Sequence, residues 1–403
     1  MSTLRSVYLV CASVAVAACG MTDASGTSDE SGSVVADGAA SAGQALTLGV
    51  GPRSISYDYA HLDALPGGVA GTEHNVFVGI PLDGKVLALS RDTGRVVGEL
   101  PPPPGGFVLP FIMHKEIAPG RLAVLDAGGF PSPAPFVPAN PSIYEYTYTS
   151  TSSGHFSAEL ARTVSFASVL VGFAEDIVNL DDGRYLLSDT ILGRIWVVER
   201  DGTIRPGIGP KSNDPADALA KLSFCPTMPL VHVGGIPFLF SGATEPGVES
   251  LAVRDGIVYC NSPCSGALYS FRLSILSDRR QPWERAADIR LVSPKPPGIV
   301  VEQLLGLTFN PYLPRDRWLY AADSLQLRII RIDVDTGQRQ IVADDPKLFN
   351  FPSSTSFLPP VQGISPLLVV SNQQHRLTIL NDAIDTDLVQ PPFIVTKLYV
   401  AAP

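Results

Sequence analysis

The sequence has little charge, little aromatic character and no hydrophobic run long enough for a membrane-spanning helix. Charged residues make up 17% and aromatic residues 8% of its 403 residues, and 39 acidic residues outnumber 29 basic ones. Nucleic-acid phosphates are bound by clustered Lys and Arg, so this balance argues against a nucleic-acid partner. It also provides no basic patch for anionic lipids, and it favours cations or neutral molecules as ligands.

Motifs of the common catalytic classes are absent. The sequence contains no Gly-x-Ser-x-Gly elbow and no His-Glu-x-x-His, and its histidines share no spacing typical of metal ligands. Cysteine is scarce, with five in the chain. Cys260 and Cys264 stand close enough for a small disulfide ring, and the alternative is that they and Cys225 are separately buried thiols.

The N-terminal residues have the order of a secretory signal. Arg5 precedes a largely apolar run that starts at Val7 and ends in Val16-Ala17-Ala18-Cys19. This run is too short to span a hydrocarbon layer about 30 Å thick. Its ending resembles the lipobox of bacterial lipoproteins, which implies removal of residues 1–18 and lipid attachment to Cys19. An ordinary cleaved signal with a chance cysteine is the alternative.

The resemblance to lipoproteins also implies a location. Gly20 is not the Asp that retains such proteins in the inner membrane, so we expect an extracytoplasmic protein, held by its N-terminal lipid at the outer membrane or in the periplasm. Residues 19–45 have almost no large apolar side chains and are predicted to form a flexible tether. As a random coil, about 26 residues reach roughly 28 Å. Residues 46–403 are predicted to form the folded domain.

From residue 46 onward the chain repeats a strand–turn–strand pattern. The two clearest copies are Gly183–Asp189 and Arg317–Asp323, each followed five residues after its Asp by an Arg that opens a run of β-forming residues. We expect Asp189 and Asp323 to accept backbone hydrogen bonds in the turn after their strands. Weaker copies lie at Val76–Leu89, at Leu122–Asp126 with a continuation at Ser142–Tyr148, at Ile257–Phe271, and at Leu367–Asn372 with a continuation at Arg376–Leu380.

Six copies of this kind favour one architecture. The strands are apolar on both faces, as expected when each sheet packs between two neighbours. Radially stacked four-stranded sheets satisfy this pattern and leave only short edges. The sequence therefore predicts an all-β fold, a six-bladed β-propeller.

Two acidic residues point to a site at the mouth of the central channel. Asp176 and Glu249 each stand six residues before the Asp of an Asp-Gly pair, which predicts that both face the same axis. Two carboxylates about 4 Å apart repel by about 4 kcal/mol at an effective dielectric constant of 20. A shared proton, a basic partner or a bound cation would relieve that repulsion, and Ca²⁺ prefers such oxygen ligands.

Three segments of the chain form a recognisable set: Ala174-Glu175-Asp176-Ile177 with Asp182-Gly183-Arg184, Val248-Glu249-Ser250-Leu251 with Asp255-Gly256, and Ala322-Asp323-Ser324. Through these segments the chain resembles, over about residues 70–380, the gluconolactonase, senescence-marker-protein and luciferin-regenerating-enzyme-like six-bladed propellers. The resemblance implies a divalent metal at the channel mouth, held by Asp176 and Glu249, and hydrolysis of lactones or other esters. It leaves Glu175 as an acid for proton transfer.

The other copies supply different residues at the corresponding positions. The fifth copy has Leu305, with Gln303 two residues earlier, and the sixth has Ser353. Two carboxylates provide fewer oxygens than the six to eight that Ca²⁺ takes, so backbone carbonyls and water would complete the shell. The alternative function is a non-catalytic scaffold that binds a protein or a carbohydrate through the channel face and the insertions at 127–141 and 205–245.

Overall fold

The structure, a computed structural model, is a closed ring of antiparallel sheets. It describes residues 54–110, 112–129, 132–133, 136–137, 140–151, 155–210, 229–239, 247–262, 265–299 and 301–400. These residues form six four-stranded sheets and two short hairpins. The innermost strand of each sheet packs against those of its two neighbours, and the sixth packs against the first. The predicted six-bladed β-propeller is confirmed.

The first three blades, each given from the channel outward, follow strand β1 (Ser54–Leu62), which belongs to the last blade. Blade 1 contains β2 (Val69–Gly71), β3 (Asn75–Ile80), β4 (Lys85–Ser90) and β5 (Val96–Glu99). Blade 2 contains β6 (Ile112–Ala118), β7 (Arg121–Asp126), β10 (Ser142–Ser150) and β11 (Phe156–Ser165), with the hairpin β8 (Ser132–Pro133) and β9 (Phe136–Val137) inserted. Blade 3 contains β12 (Ala174–Asn179), β13 (Tyr185–Asp189), β14 (Arg194–Val198) and β15 (Ile204–Ile208).

The last three blades follow the hairpin β16 (Val231–Val233) and β17 (Ile236–Phe238). Blade 4 contains β18 (Leu251–Arg254), β19 (Ile257–Asn261), β20 (Leu268–Arg272) and β21 (Arg290–Ser293). Blade 5 contains β22 (Leu304–Phe309), β23 (Trp318–Asp323), β24 (Arg328–Asp333) and β25 (Arg339–Asp344). Blade 6 contains β26 (Pro352–Phe357), β27 (Leu367–Ser371), β28 (Phe393–Val400) and β1.

Helical structure in the described residues is confined to short turns. One α-helix, α1 (Pro282–Arg285), lies between β20 and β21. Turns of 3₁₀-helix occur at Pro81–Asp83, Leu273–Ser277, Ala286–Asp288, Ser324–Gln326 and Gln374–Arg376.

The ring is closed by pairing the first strand with the last. β1 runs antiparallel to β28, from Ser54 opposite Val400 to Leu62 opposite Phe393. Because the two ends of the domain share blade 6, opening the ring requires breaking a complete strand pair. The apolar strands predicted from the sequence form the cores between blades, and every residue of β3, β13, β23 and β24 is buried.

One predicted strand is wrong. We expected β27 to pair with residues 376–380, but it pairs with β28, and Gln374–Arg376 is a 3₁₀ turn. The Asn381 amide explains the difference, because it donates to the carbonyl oxygens of His375 (2.6 Å) and Pro237 (2.8 Å). These bonds hold the segment as a loop that meets the β16–β17 hairpin.

Of the two aspartates that end second strands, Asp189 acts as expected and Asp323 does not. Asp189 accepts backbone hydrogen bonds from Gly172 (2.9 Å), Phe173 (3.2 Å) and Leu192 (2.9 Å). It thereby ties the chain entering β12 to the end of β13. Asp323 pairs instead with Arg328, 2.8 Å away.

The two ends of the propeller can be told apart by the turns that lie on them. We call the end where the inner strands begin the mouth face and the opposite end the base face. Ala174, which begins β12, pairs with Asp189, which ends β13, so turns after second strands lie on the mouth face. Turns between first and second strands lie on the base face.

Candidate functional site

Glu175 and Asp176 lie in an irregularity near the start of β12. Ala174 pairs with Asp189 and Ile177 with Leu187, so the two acids oppose a single residue of β13. Such bulges re-aim side chains and occur often beside active sites. The inner strands β22 and β26 show register shifts at corresponding places.

Asp176 links blade 3 to blade 4. Its carboxylate is fully buried and accepts the backbone N–H of Leu251 at 2.8 Å. The Asp176 N–H donates to the Ser188 hydroxyl oxygen at 2.9 Å, and that hydroxyl donates to the Glu249 carbonyl at 2.5 Å. These contacts fix the backbone of Glu249 relative to the bulge in β12.

Glu249 lies just before β18 and is 5% exposed. Its backbone N–H donates to the Asn261 carbonyl at 3.0 Å. Burial, then the charge of Glu175, raise the pKa of the Glu249 carboxyl, and a hydrogen bond from the Gln303 side chain opposes that rise. Gln303 is itself 1% exposed, so blade 5 also contributes to the site.

Glu175 is the more accessible of the acids. Its side chain is half-buried, whereas Asp176 is fully enclosed. Burial, followed by the negative charge of Asp176, raises the pKa of Glu175 to about 8. Its surroundings therefore favour the protonated form of Glu175. No described Lys, Arg or His lies close enough to lower the pKa of Glu175 or Glu249.

Two buried oxygens converge on this site without hydrogen-bond donors from the described residues. They are Oε2 of Glu249 and Oε1 of Gln303. A buried polar atom without a partner costs free energy, so a proton, water or a cation is expected to meet them. In the described part of the chain, no three His, Cys, Asp or Glu side chains form a group able to hold a metal. A cation here would need amide and backbone oxygens beside two carboxylates.

Asp176 and Glu249 both stand six residues before the Asp of an Asp-Gly pair, but the two hairpins that follow them differ in length and register. β12 and β13 are joined by five residues, whereas β18 and β19 are joined by the two-residue turn Asp255-Gly256, in which both residues have positive φ. The acids meet because they lie near the starts of adjacent inner strands. The hydrogen bond from Gln303 was not predicted, although the sequence placed this residue near the fifth inner strand.

His375 lies on the mouth-face side of blade 6. It is fully buried, its ring stacks on Phe351 at 5.4 Å, and burial lowers the pKa of its imidazole to about 3. The residue is therefore neutral at physiological pH. The groups that shift its pKa do not include the acids of blades 3 and 4.

Several residues and segments named in the sequence predictions lie outside the described residues. Cys19, the signal at 1–18, the tether at 19–45, Cys225 and Cys264 are outside the described residues. Cys260 is buried and forms no disulfide with a described residue. The Cys260–Cys264 pairing and the lipid attachment therefore stay predictions. No helix among the described residues is both long and apolar enough to cross a membrane.

Comparison with solved structures concerns the fold. The major allergen Mala s 1 of Malassezia sympodialis has a TM-score of 0.53 and 11% identity, over 85% of this chain and 95% of the allergen. A gluconolactonase from Xanthomonas campestris has a TM-score of 0.45 and 14% identity, over 86% and 90% of the two chains. A luciferin-regenerating enzyme has a TM-score of 0.49 and 14% identity, over 86% of this chain and 95% of the enzyme.

The chain folds as a six-bladed propeller. No family model and no curated protein matches the sequence. At identities this low the likeness concerns the fold alone, so function is argued from the site.

Proposed function

We propose that this propeller is a hydrolase of small lactones or other esters that acts at the channel mouth. The observation that carries the proposal is the carboxyl pair of half-buried Glu175 and buried Glu249, which has no described cationic partner. When such a pair shares one proton, one member is an acid and the other a base. The near-complete burial of Glu249 favours a small substrate over the alternative of a macromolecular ligand.

The two carboxyls divide the proton transfers. Glu249, fixed by its backbone bond to Asn261, takes a proton from the water that attacks the carbonyl carbon. Glu175, protonated and partly exposed, gives its proton to the leaving alkoxide oxygen. Asp176 orients this pair through its bond to Leu251.

A divalent cation fits the same oxygens. Once Glu175 has lost its proton, Glu175, Glu249 and the Gln303 amide oxygen are hard donors of the kind that Ca²⁺ prefers, so the ion would take the place of the proton that the pair otherwise holds. The unsatisfied atoms of Glu249 and Gln303 favour such an ion. When bound, the ion would polarise the substrate carbonyl. The ligand role expected for Asp176 stays a prediction, since one of its oxygens already accepts the Leu251 N–H.

Turnover of simple esters tests the proposal. We expect the protein to hydrolyse members of a panel of γ-lactones, δ-lactones and p-nitrophenyl acetate, with a bell-shaped dependence of kcat/KM on pH. Parallel assays with EDTA and with added Ca²⁺ measure the contribution of the cation. Hydrolysis no faster than in enzyme-free buffer, with and without Ca²⁺, would show the proposal to be wrong.

We also propose that the protein works outside the cytoplasm on a lipid anchor. Val16 to Cys19 and the tether composition support this location. The mass of the mature N-terminal peptide should equal that of a chain beginning at Cys19 with attached acyl groups. Recovery of unmodified Cys19, or of a start at another residue, would contradict the anchor.

A further inference from the structure

Large apolar side chains are exposed on two base-face turns of neighbouring blades. The turn between β22 and β23 carries Tyr312 and Leu313, which are 37% and 47% exposed. The turn between β26 and β27 carries Val361 and Ile364, which are 51% and 46% exposed. Val361 and Ile364 bond each other through their backbones at 2.9 and 3.1 Å, so the second turn has a defined shape. We call these four residues the base patch.

The chain enters the fold beside the base patch. β1 starts opposite Val400, where β28 ends after running toward the base face. The Ser54 hydroxyl donates to the Val342 carbonyl of blade 5 at 2.5 Å, so the first described residue lies between blades 5 and 6. These are the two blades that carry the base patch. A segment of roughly 28 Å reach, attached here, would hold these blades near the site of its anchor.

Charge on the base face is distributed unevenly. The turns between first and second strands in blades 3 and 4 carry acids, Asp181, Asp182 and Asp255. The corresponding turn of blade 5 carries Arg315, Asp316 and Arg317, and residues 359–364 in blade 6 have no charge. Lipid phosphates repel carboxylates and attract arginines, so the turns of blades 5 and 6 suit a membrane surface better than those of blades 3 and 4. An interfacial Tyr and adjacent aliphatic side chains are typical of membrane-contacting segments.

We propose that the base patch docks on the phospholipid bilayer that holds the N-terminal lipid. This inference rests on the proposed anchor at Cys19. The lipid and the patch then act as two membrane contacts, which together hold more firmly than either alone. Docking would orient the mouth face, with Glu175 and Glu249, toward the aqueous compartment from which small esters arrive.

Vesicle binding of the mature full chain without its lipid tests the docking separately from the anchor. Cys19→Ser protein starting at residue 19 should cosediment with vesicles of phosphatidylethanolamine and phosphatidylglycerol (3:1 by composition). Leu313→Ser with Val361→Ser should lower the partition coefficient about tenfold, because two apolar contacts are lost. The matched control is Val108→Ser with Ile191→Ser, at exposed mouth-face positions, which should bind as the parent does.

Four results would overturn the docking, three of them in the vesicle assay. They are absence of vesicle binding by the parent chain, equal binding by the base-patch variant, and an equal loss in the mouth-face control. Self-association through the patch, seen as a dimer in sedimentation velocity that the Leu313 and Val361 changes dissolve, would also overturn it. The mass of the natural N-terminus tests the anchor independently, so failure of one proposal is not mistaken for failure of the other.

Discussion

Glu175→Gln should strongly lower the proposed ester turnover and at the same time stabilise the protein at alkaline pH. Loss of a proton-transfer group typically lowers kcat by about 10² to 10⁴. The stability gain arises because the substitution removes a carboxyl whose ionisation the folded state resists. An active-site acid that opposes folding is expected when a site is built for chemistry rather than for stability.

The direction of the stability change follows from the raised pKa of Glu175, which is about 8 in the folded protein against an ordinary value of 4.5. A raised folded-state pKa contributes stability that is fully present below pH 4.5 and is lost as pH rises toward 8. Glu175→Gln removes this dependence, so the variant should gain nothing at pH 4.5. At pH 8 it should gain about 3 kcal/mol, because each pKa unit corresponds to about 1.4 kcal/mol and partial exposure screens part of it.

Urea denaturation at pH 4.5, 6 and 8, followed by tryptophan fluorescence, measures the effect. Glu99→Gln, an exposed substitution on β5, is the matched control and should show the parent pH dependence. Added Ca²⁺ should stabilise the parent at pH 8 and leave Glu175→Gln unaffected if Glu175 is a ligand. A parent and variant with parallel stability curves across this pH range would refute the enclosed carboxyl pair.

Local patterns were sufficient to predict much of the fold. The strand–turn–strand copies rely on residues within about twenty positions of each other, and the turn role of Asp189 depends on contacts inside one blade. Closure was not predicted, because β1 and β28 lie more than 300 positions apart and neither carries the repeated motif. The error at 376–380 has a similar cause, since Asn381 bonds a hairpin more than 140 positions away.

The candidate site was predicted in part, for reasons that differ between its residues. Ring geometry brings the starts of adjacent inner strands together, so two acids at those starts meet even though their hairpins differ in length. The bulge in β12 decides which of Glu175 and Asp176 is enclosed. No spacing of residues in the sequence indicates that bulge. Hence the accessible position of Glu175, the enclosed position of Asp176 and the bond from Gln303 became clear only in three dimensions.

Arg339→Met should destabilise the protein more than any surface substitution, by about 3 to 5 kcal/mol. Arg339 is 1% exposed, and its guanidinium bonds the Glu302 carboxylate, the Ser293 hydroxyl oxygen (2.8 Å) and the Gly266 carbonyl (2.5 Å). It thus joins blade 4 to blade 5. Removing the guanidinium leaves Glu302, which is fully buried, without its closest charge partner. Arg328 does not replace it, because its nearest nitrogen is 4.0 Å from that carboxylate.

The same substitution should also disturb the site, because Glu302 directly precedes Gln303, whose amide bonds Glu249. Arg339→Lys keeps the charge but not the planar fork, so it should recover part of the stability and of the turnover. Arg280→Met, in an exposed cluster with Asp278 and Asp288, should leave the urea midpoint unchanged. If Arg339→Met and Arg280→Met shifted that midpoint equally, the buried link between the blades would contribute no more to folding than surface charge does.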